Sequence, residues 1–172
     1  MFASLLDFAR RHIILFGTIK FASGLLIGLA LGFAAGIYTL PILIADAPAP
    51  ATTITTAAAT AEKTTVFRPD LPDSDGLHWG DGTLYVTPTR VTLDGEVSPG
   101  PDYRLYLTRD FVDTTAGFQA IKNQPGQAIE VARIKGFKNF SYEIAPIDLT
   151  QYRGALIWCE RFAVFITAGP LN

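Results

Sequence analysis

The stretch Thr83-Leu-Tyr-Val-Thr-Pro-Thr-Arg-Val-Thr-Leu-Asp-Gly95 decides the fold class. Apolar and polar residues alternate over 83–87 and again over 90–94, with Pro88 between the runs and Asp94-Gly95 after the second. A period of two sends successive side chains to opposite faces of a strand, so each run predicts a half-buried β-strand. The pattern returns downstream in Tyr103-Arg-Leu-Tyr-Leu-Thr108, Ala128-Ile-Glu-Val-Ala-Arg-Ile134, Phe140-Ser-Tyr-Glu-Ile144, 155–159 and 162–167. Turn signals separate the runs: Asp81-Gly82, Pro99-Gly100-Pro101-Asp102, Pro125-Gly126, Gly136 and Pro146. Seven or eight short strands with turns at such intervals predict an all-β domain over 76–172, an antiparallel β-sandwich or barrel. The longest irregular stretch, 110–127, reads as either a short helix or a rim loop.

Upstream the composition changes. Phe21 to Ala45 holds no charged residue. As a helix these 25 residues reach about 37 Å, against a hydrocarbon core of about 30 Å, so the segment can cross a bilayer once with some tilt. Arg10, Arg11, His12 and Lys20 precede it and Asp46 follows. The positive-inside rule then predicts a single-pass anchor in the cell (inner) membrane. Its N-terminus, residues 1–20, would be cytoplasmic, and its C-terminal domain periplasmic or extracellular. A cleaved signal peptide is the rival reading, but the apolar run is too long for one and Pro48 is a poor residue after a cut at Ala47. Gly24, Gly28, Gly32 and Gly36 stand four apart on one groove of the helix, a spacing that lets two membrane helices approach closely and predicts a homodimer or a lateral partner.

Residues 46–75, rich in Ala, Thr and Pro, lack an apolar stripe and read as a disordered tether. Up to Ala45 the charges Arg10, Arg11 and Lys20 against Asp7 give +2, and the remainder, with 11 basic and 15 acidic residues, carries −4. A mildly acidic outer part without a basic run argues against nucleic acid as a partner. The bilayer is the partner this reading names.

The residues also exclude much chemistry. The outer domain has one histidine, His78, and no G-x-S-x-G elbow, so no hydrolase or transferase constellation is present. No glycine-rich loop leads from a strand into a helix. One His and one Cys fall short of a structural zinc site, and no metal site is predicted. The absence of C-x-x-C-H removes covalent c-type haem and leaves non-covalent haem open, with the cofactor otherwise unknown. Paired acids such as Asp73 with Asp75, and Asp81 with Asp102, read as solvated turn residues. His78 reads as a locally hydrogen-bonded residue at the domain entry or as a ligand at the end of the sheet.

Cys159, the only cysteine, follows Trp158 in Ala155-Leu-Ile-Trp-Cys159. A lone cysteine can make no internal disulfide, so its thiol is inert packing, an intermolecular link, or a reactive or ligating group. If the strand runs on, Arg161 shares its face and lowers the thiol pKa; if Glu160-Arg161 is a tight turn, that argument fails. Free cysteine is among the most buried residue types, which favours packing.

Four separated blocks carry a resemblance: Pro99-Gly-Pro-Asp-Tyr-Arg-Leu-Tyr-Leu107, Phe140-Ser-Tyr-Glu-Ile144, Asp148-Leu-Thr-Gln-Tyr152 and Leu156-Ile-Trp-Cys-Glu-Arg-Phe162. In order and spacing they resemble the DM-thirteen, or electron-transfer DM, domain over residues 76–172. The resemblance implies an extracytoplasmic β-sandwich with an electron-transfer or thiol-redox role for Cys159, as a bare thiol or as a ligand to a group such as haem. Trp158, Pro101 and Asp102 match positions of the family motif, and a redox partner of unknown identity is implied. The alternative is a non-catalytic binding or scaffolding module, suggested by the missing catalytic constellation.

Overall fold

A computed structural model describes residues 10–172, and the contacts divide the chain between Thr39 and Leu40. The expectation for residues 1–9 lies outside the described residues. Helix α1 spans Ile13–Leu43 and buries none of its residues. It is long and apolar enough to cross a membrane, so an N-terminal membrane anchor is its natural use. Three aliphatic hydroxyls near and within the apolar run are satisfied inside the helix: Thr18, Ser23 and Thr39 donate to the carbonyls of Ile14, Ile19 and Ala35 at 2.8–2.9 Å. Such back-bonding removes the penalty of a free hydroxyl in lipid. Added methyl groups at Gly24, Gly28, Gly32 and Gly36 would meet nothing within 4 Å.

The second unit holds two four-stranded antiparallel sheets. The first orders β1 (Lys63–Phe67), β2 (Gly80–Thr87), β3 (Arg90–Val97) and β6 (Ser141–Glu143) side by side. The second runs β5 (Ala128–Ile134), β4 (Tyr103–Thr108), β7 (Gly154–Cys159) and β8 (Val164–Pro170). Of the sandwich and the barrel that the alternation allows, this is the sandwich, as the resemblance implies. Leu84, Val86, Val91 and Leu93 of the first sheet enter one core cluster with Leu105, Leu107, Ile157 and Ile166 of the second. Gly82 and Gly95 face each other across β2 and β3 at φ 130° and 148°. A side chain on either would strike the other strand's backbone, so both positions need glycine.

The second sheet is covered on its other side as well. Within 110–127 lies helix α3 (Thr115–Lys122), started by the Thr114 hydroxyl, which accepts the Gly117 N–H at 3.1 Å. Its Phe118 joins Tyr106, Leu156, Trp158, Phe165 and Ala168 in a separate apolar cluster. All six residues of β7 are therefore buried. A strand covered on both faces shows a continuous apolar run instead of alternation, and Ala155–Cys159 has that character.

The disordered tether over 46–75 is overturned. Helix α2 spans Ala51–Thr60, and β1 pairs over its full length with the edge of β2, from Lys63 opposite Val86 to Phe67 opposite Gly82. Before them, Asp46 N–H donates to the Lys135 carbonyl at 3.1 Å and Ala49 N–H to the Asn139 carbonyl at 2.5 Å. The composition hid this for physical reasons. An edge strand is held by backbone bonds that any non-proline residue can make, and five residues are too few to display a period. Thr55, Thr56 and Thr60 return their hydroxyls to the carbonyls four residues back, so these three are satisfied within the helix. Thr64 and Asn172 exchange two backbone bonds, at 3.1 and 3.0 Å, so β1 also ties down the end of the chain.

If β1 belongs to the fold, a chain starting at Gly76 should aggregate or melt well below one starting at Asp46. Phe67, fully buried, gives the finer test: Phe67→Ala should cost about 3–5 kcal/mol in denaturant unfolding.

Candidate functional site

Because β4 and β7 run antiparallel with Tyr103 opposite Cys159, the turn entering β4 lies beside the end of β7. The Pro99-Gly-Pro-Asp102 block and the Trp-Cys block, 58 residues apart at their contact, meet there: the Cys159 thiol donates to the Pro101 carbonyl at 3.1 Å. Gly100 sits close over the Tyr103 ring, where any side chain would collide with it. Asp102 reverses the chain at φ 55°, in the left-handed region that aspartate tolerates better than most residues. Its carbonyl accepts the Glu160 N–H at 3.0 Å, closing the strand end. Its carboxylate accepts from Arg104 Nε and Nη2 at 3.0 and 2.8 Å, while Arg104 Nη1 reaches Glu130 at 2.7 Å.

Cys159 is 1 % exposed and belongs to the cluster between the sheets. Burial, the largest influence, pushes its thiol pKa up, and the backbone N–H groups of Arg161 and Phe162 only partly oppose this. The strand ends at Cys159, and residues 160–163 form the turn into β8, with Ala163 at φ 51°. Arg161 is exposed in that turn, and its side chain is not among the groups acting on the sulfur. The tight-turn alternative is therefore the one realised, and the thiol is held protonated at neutral pH.

Trp158 faces the opposite way, into the cluster under α3. Its ring lies 5.0 Å from Phe118, which lies 4.9 Å from Tyr106. The Tyr106 hydroxyl donates to Glu160 Oε1 at 2.5 Å, and Lys122 pairs with Glu160 Oε2. Lys122 Nζ also stands 5.8 Å from the Tyr106 ring and 5.7 Å from the Trp158 ring, within cation–π range. The alternation on β4 could have placed Tyr106 on the Arg104 face, but Lys122 and Glu160 reach it only through α3 and the turn.

His78 is not drawn into this site. Its Nδ1 lies 3.0 Å from Asp75 Oδ1, which also accepts the N–H groups of Leu77 and His78 itself, a local turn at the domain entry. Asp73 accepts the Thr115 N–H at 2.6 Å, and Asp102 pairs with Arg104, so neither acidic pair acts as a unit. Among the described residues, no group of three or more His, Cys, Asp or Glu could hold a metal ion. A haem with Cys159 as axial ligand does not fit this packing. The sulfur is enclosed between the sheets and bonded to Pro101, so a macrocycle could reach it only if the sheets separated.

A β-sandwich that folds a Gly-Pro-Asp turn over a single buried thiol defines the class of domain. The family model for Electron transfer DM13 matches residues 71–171, and the chain belongs to this family. No curated protein matches the chain, and no solved structure matches it.

Two measurements check the thiol. Native Cys159 should react with a maleimide far more slowly than in denaturant, and the native rate should still be climbing steeply at pH of about 9, where an exposed cysteine begins to level off as its thiolate fraction saturates. A folded pKa raised above the ordinary 9.0 also means that its contribution to stability is full below that value and is lost as pH rises through the folded pKa.

Proposed function

We propose that this chain is a membrane-anchored, extracytoplasmic electron-transfer module in which Cys159 is the redox-active group. The observation that carries the reading is the meeting of the two family blocks at the thiol, with Pro101 capping the sulfur. Thiol–disulfide exchange needs a thiolate open to attack. The enclosed, protonated Cys159 suits that poorly. Transfer of a single electron needs no contact between the reacting atoms: the electron passes to a one-electron partner, the S–H bond breaks, its proton leaves for water at the strand end, and a thiyl radical remains until the partner returns the electron. The distribution of Arg10, Arg11 and Lys20 before the apolar helix and Asp46 after it supports an outward-facing domain in the cell membrane.

A second reading has its own observation. A hollow of about 630 Å³ between α2 and the outer face of β2 and β3 is lined by Thr52, Thr56, Thr60, Tyr85 and Arg90 among others, a mixed surface suited to a binding module. One experiment separates the two. With the full chain in its native membrane, Cys159→Ser should abolish electron exchange with a soluble one-electron mediator too weak to oxidise a phenol, while costing about 1–2 kcal/mol of stability. Retention of all exchange in the folded variant would favour the binding module.

The glycine series supports pairing of two copies through α1. Gly28→Ile with Gly32→Ile should then lower the cross-linked dimer fraction in membranes, and the outer domain's melting should not change.

A further inference from the structure

The cluster behind Cys159 contains the parts of a second redox group. A tyrosine gives up an electron readily only if its phenolic proton has somewhere to go at the same moment, because the protonated radical cation is a very strong acid. Tyr106 meets that requirement. Its hydroxyl donates to Glu160 Oε1 at 2.5 Å, the short end of the range for a charge-assisted O–H···O⁻ bond. Lys122 pairs with the other carboxylate oxygen, and Glu160 is held below the usual carboxylate range by Lys122 and Tyr106 against the opposing effect of burial. The acceptor is therefore ionised and in place. Tyr106 itself is 7 % exposed, so a radical formed on it is shielded from solvent quenching.

Trp158 is differently equipped. Its indole N–H is buried and has no hydrogen-bond partner among the described residues. An oxidised Trp158 has no base to take its proton, so an electron hole reaching it passes on. The rings lead from one to the other: Trp158 to Phe118 at 5.0 Å and Phe118 to Tyr106 at 4.9 Å, with Lys122 facing both ends. Trp158 is covalently next to Cys159, so the chain of rings starts at the family's cysteine and ends at the one phenol of the cluster, which has a proton acceptor.

We propose that Tyr106 is a one-electron redox site of this domain, with Glu160 as its proton acceptor and Trp158 and Phe118 as the route between it and Cys159. In the step, Tyr106 loses one electron to a one-electron metal oxidant docked at the surface. The phenolic O–H bond breaks, its proton bonds to Glu160 Oε1, and a neutral phenoxyl radical remains. An electron from a one-electron donor and the proton from Glu160 restore the phenol. The inference rests on the electron-transfer reading of the domain but not on Cys159 being the group oxidised.

The test uses the full chain in nanodiscs with a photogenerated ruthenium(III) polypyridyl complex as the oxidant. The wild type should give a tyrosyl EPR signal whose rise slows in deuterated water. Tyr106→Phe should lose most of that signal, leaving the background of the other tyrosines. Glu160→Gln should keep its fold by thermal melting, lower the yield severalfold and lose the isotope effect. If Glu160→Gln does not fold, Tyr106→Phe decides alone. An unchanged signal in Tyr106→Phe, or an unchanged yield and isotope effect in folded Glu160→Gln, overturns the proposal. Cys159→Ser should retain the radical, so a failure of the thiol reading and a failure of this one are distinct results.

Discussion

The architecture depends on one constraint: β7 is covered on both faces. Six consecutive residues, Gly154 to Cys159, are all buried, so neighbours in sequence belong to different interiors. Ile157 and Cys159 lie between the sheets, while Leu156 and Trp158 lie under α3. Such a strand cannot slip by one residue without exchanging its two sets of side chains between clusters of different shape. The fixed register holds Tyr103 opposite Cys159, and that pairing brings the Pro101 carbonyl to the sulfur. The extra residue in β8 beside Ile157 and Trp158 belongs to the same solution, since it lets Phe165 face Trp158 while Ile166 remains in the inter-sheet core.

This arrangement gives the thiol and the aromatic group complementary settings. The sulfur is enclosed by the core, the turn at 160–163 and the Gly-Pro-Asp loop, and has only a carbonyl as acceptor. Behind it, Tyr106, Glu160 and Lys122 are satisfied by one another at the margin of an apolar cluster, and Arg104 is satisfied by Asp102 and Glu130. Buried polar groups of this kind are costly unless every member is paired, and here each ionised side chain has an opposite charge beside it. Glu160 follows Cys159 directly, so the turn that seals the thiol also supplies the carboxylate to Tyr106.

The sequence made the central strands legible because each has one face in a core and, in most cases, one nearer solvent. Thr83–Thr87 and Arg90–Asp94 alternate clearly for that reason. Cys159 and the motif residues Pro101 and Asp102 were also legible, through the family resemblance that the match over 71–171 bears out. What escaped was whatever is held by backbone bonds or by distant side chains. Strand β1 is an edge element outside the matched region, and α2 mixes alanines, which favour helix, with β-branched threonines, which weaken it. Tyr106, Lys122 and Glu160 lie on three separate elements, and only the folded sheet and α3 bring them together. Arg161 had two readings that turned on where β7 ends, and a single sequence does not mark that point.

The reciprocal bonds between Thr64 and Asn172 have a mechanical consequence. Tension entering through the segment before β1 and leaving at Asn172 would meet at one hydrogen-bonded pair instead of across the sandwich. Two bonds loaded one after the other give way at low force. Once that pair parted, the load would pass to the ladder of β1 on β2 and to the end of β8 on β7, so the Thr64–Asn172 pair is the first point to yield.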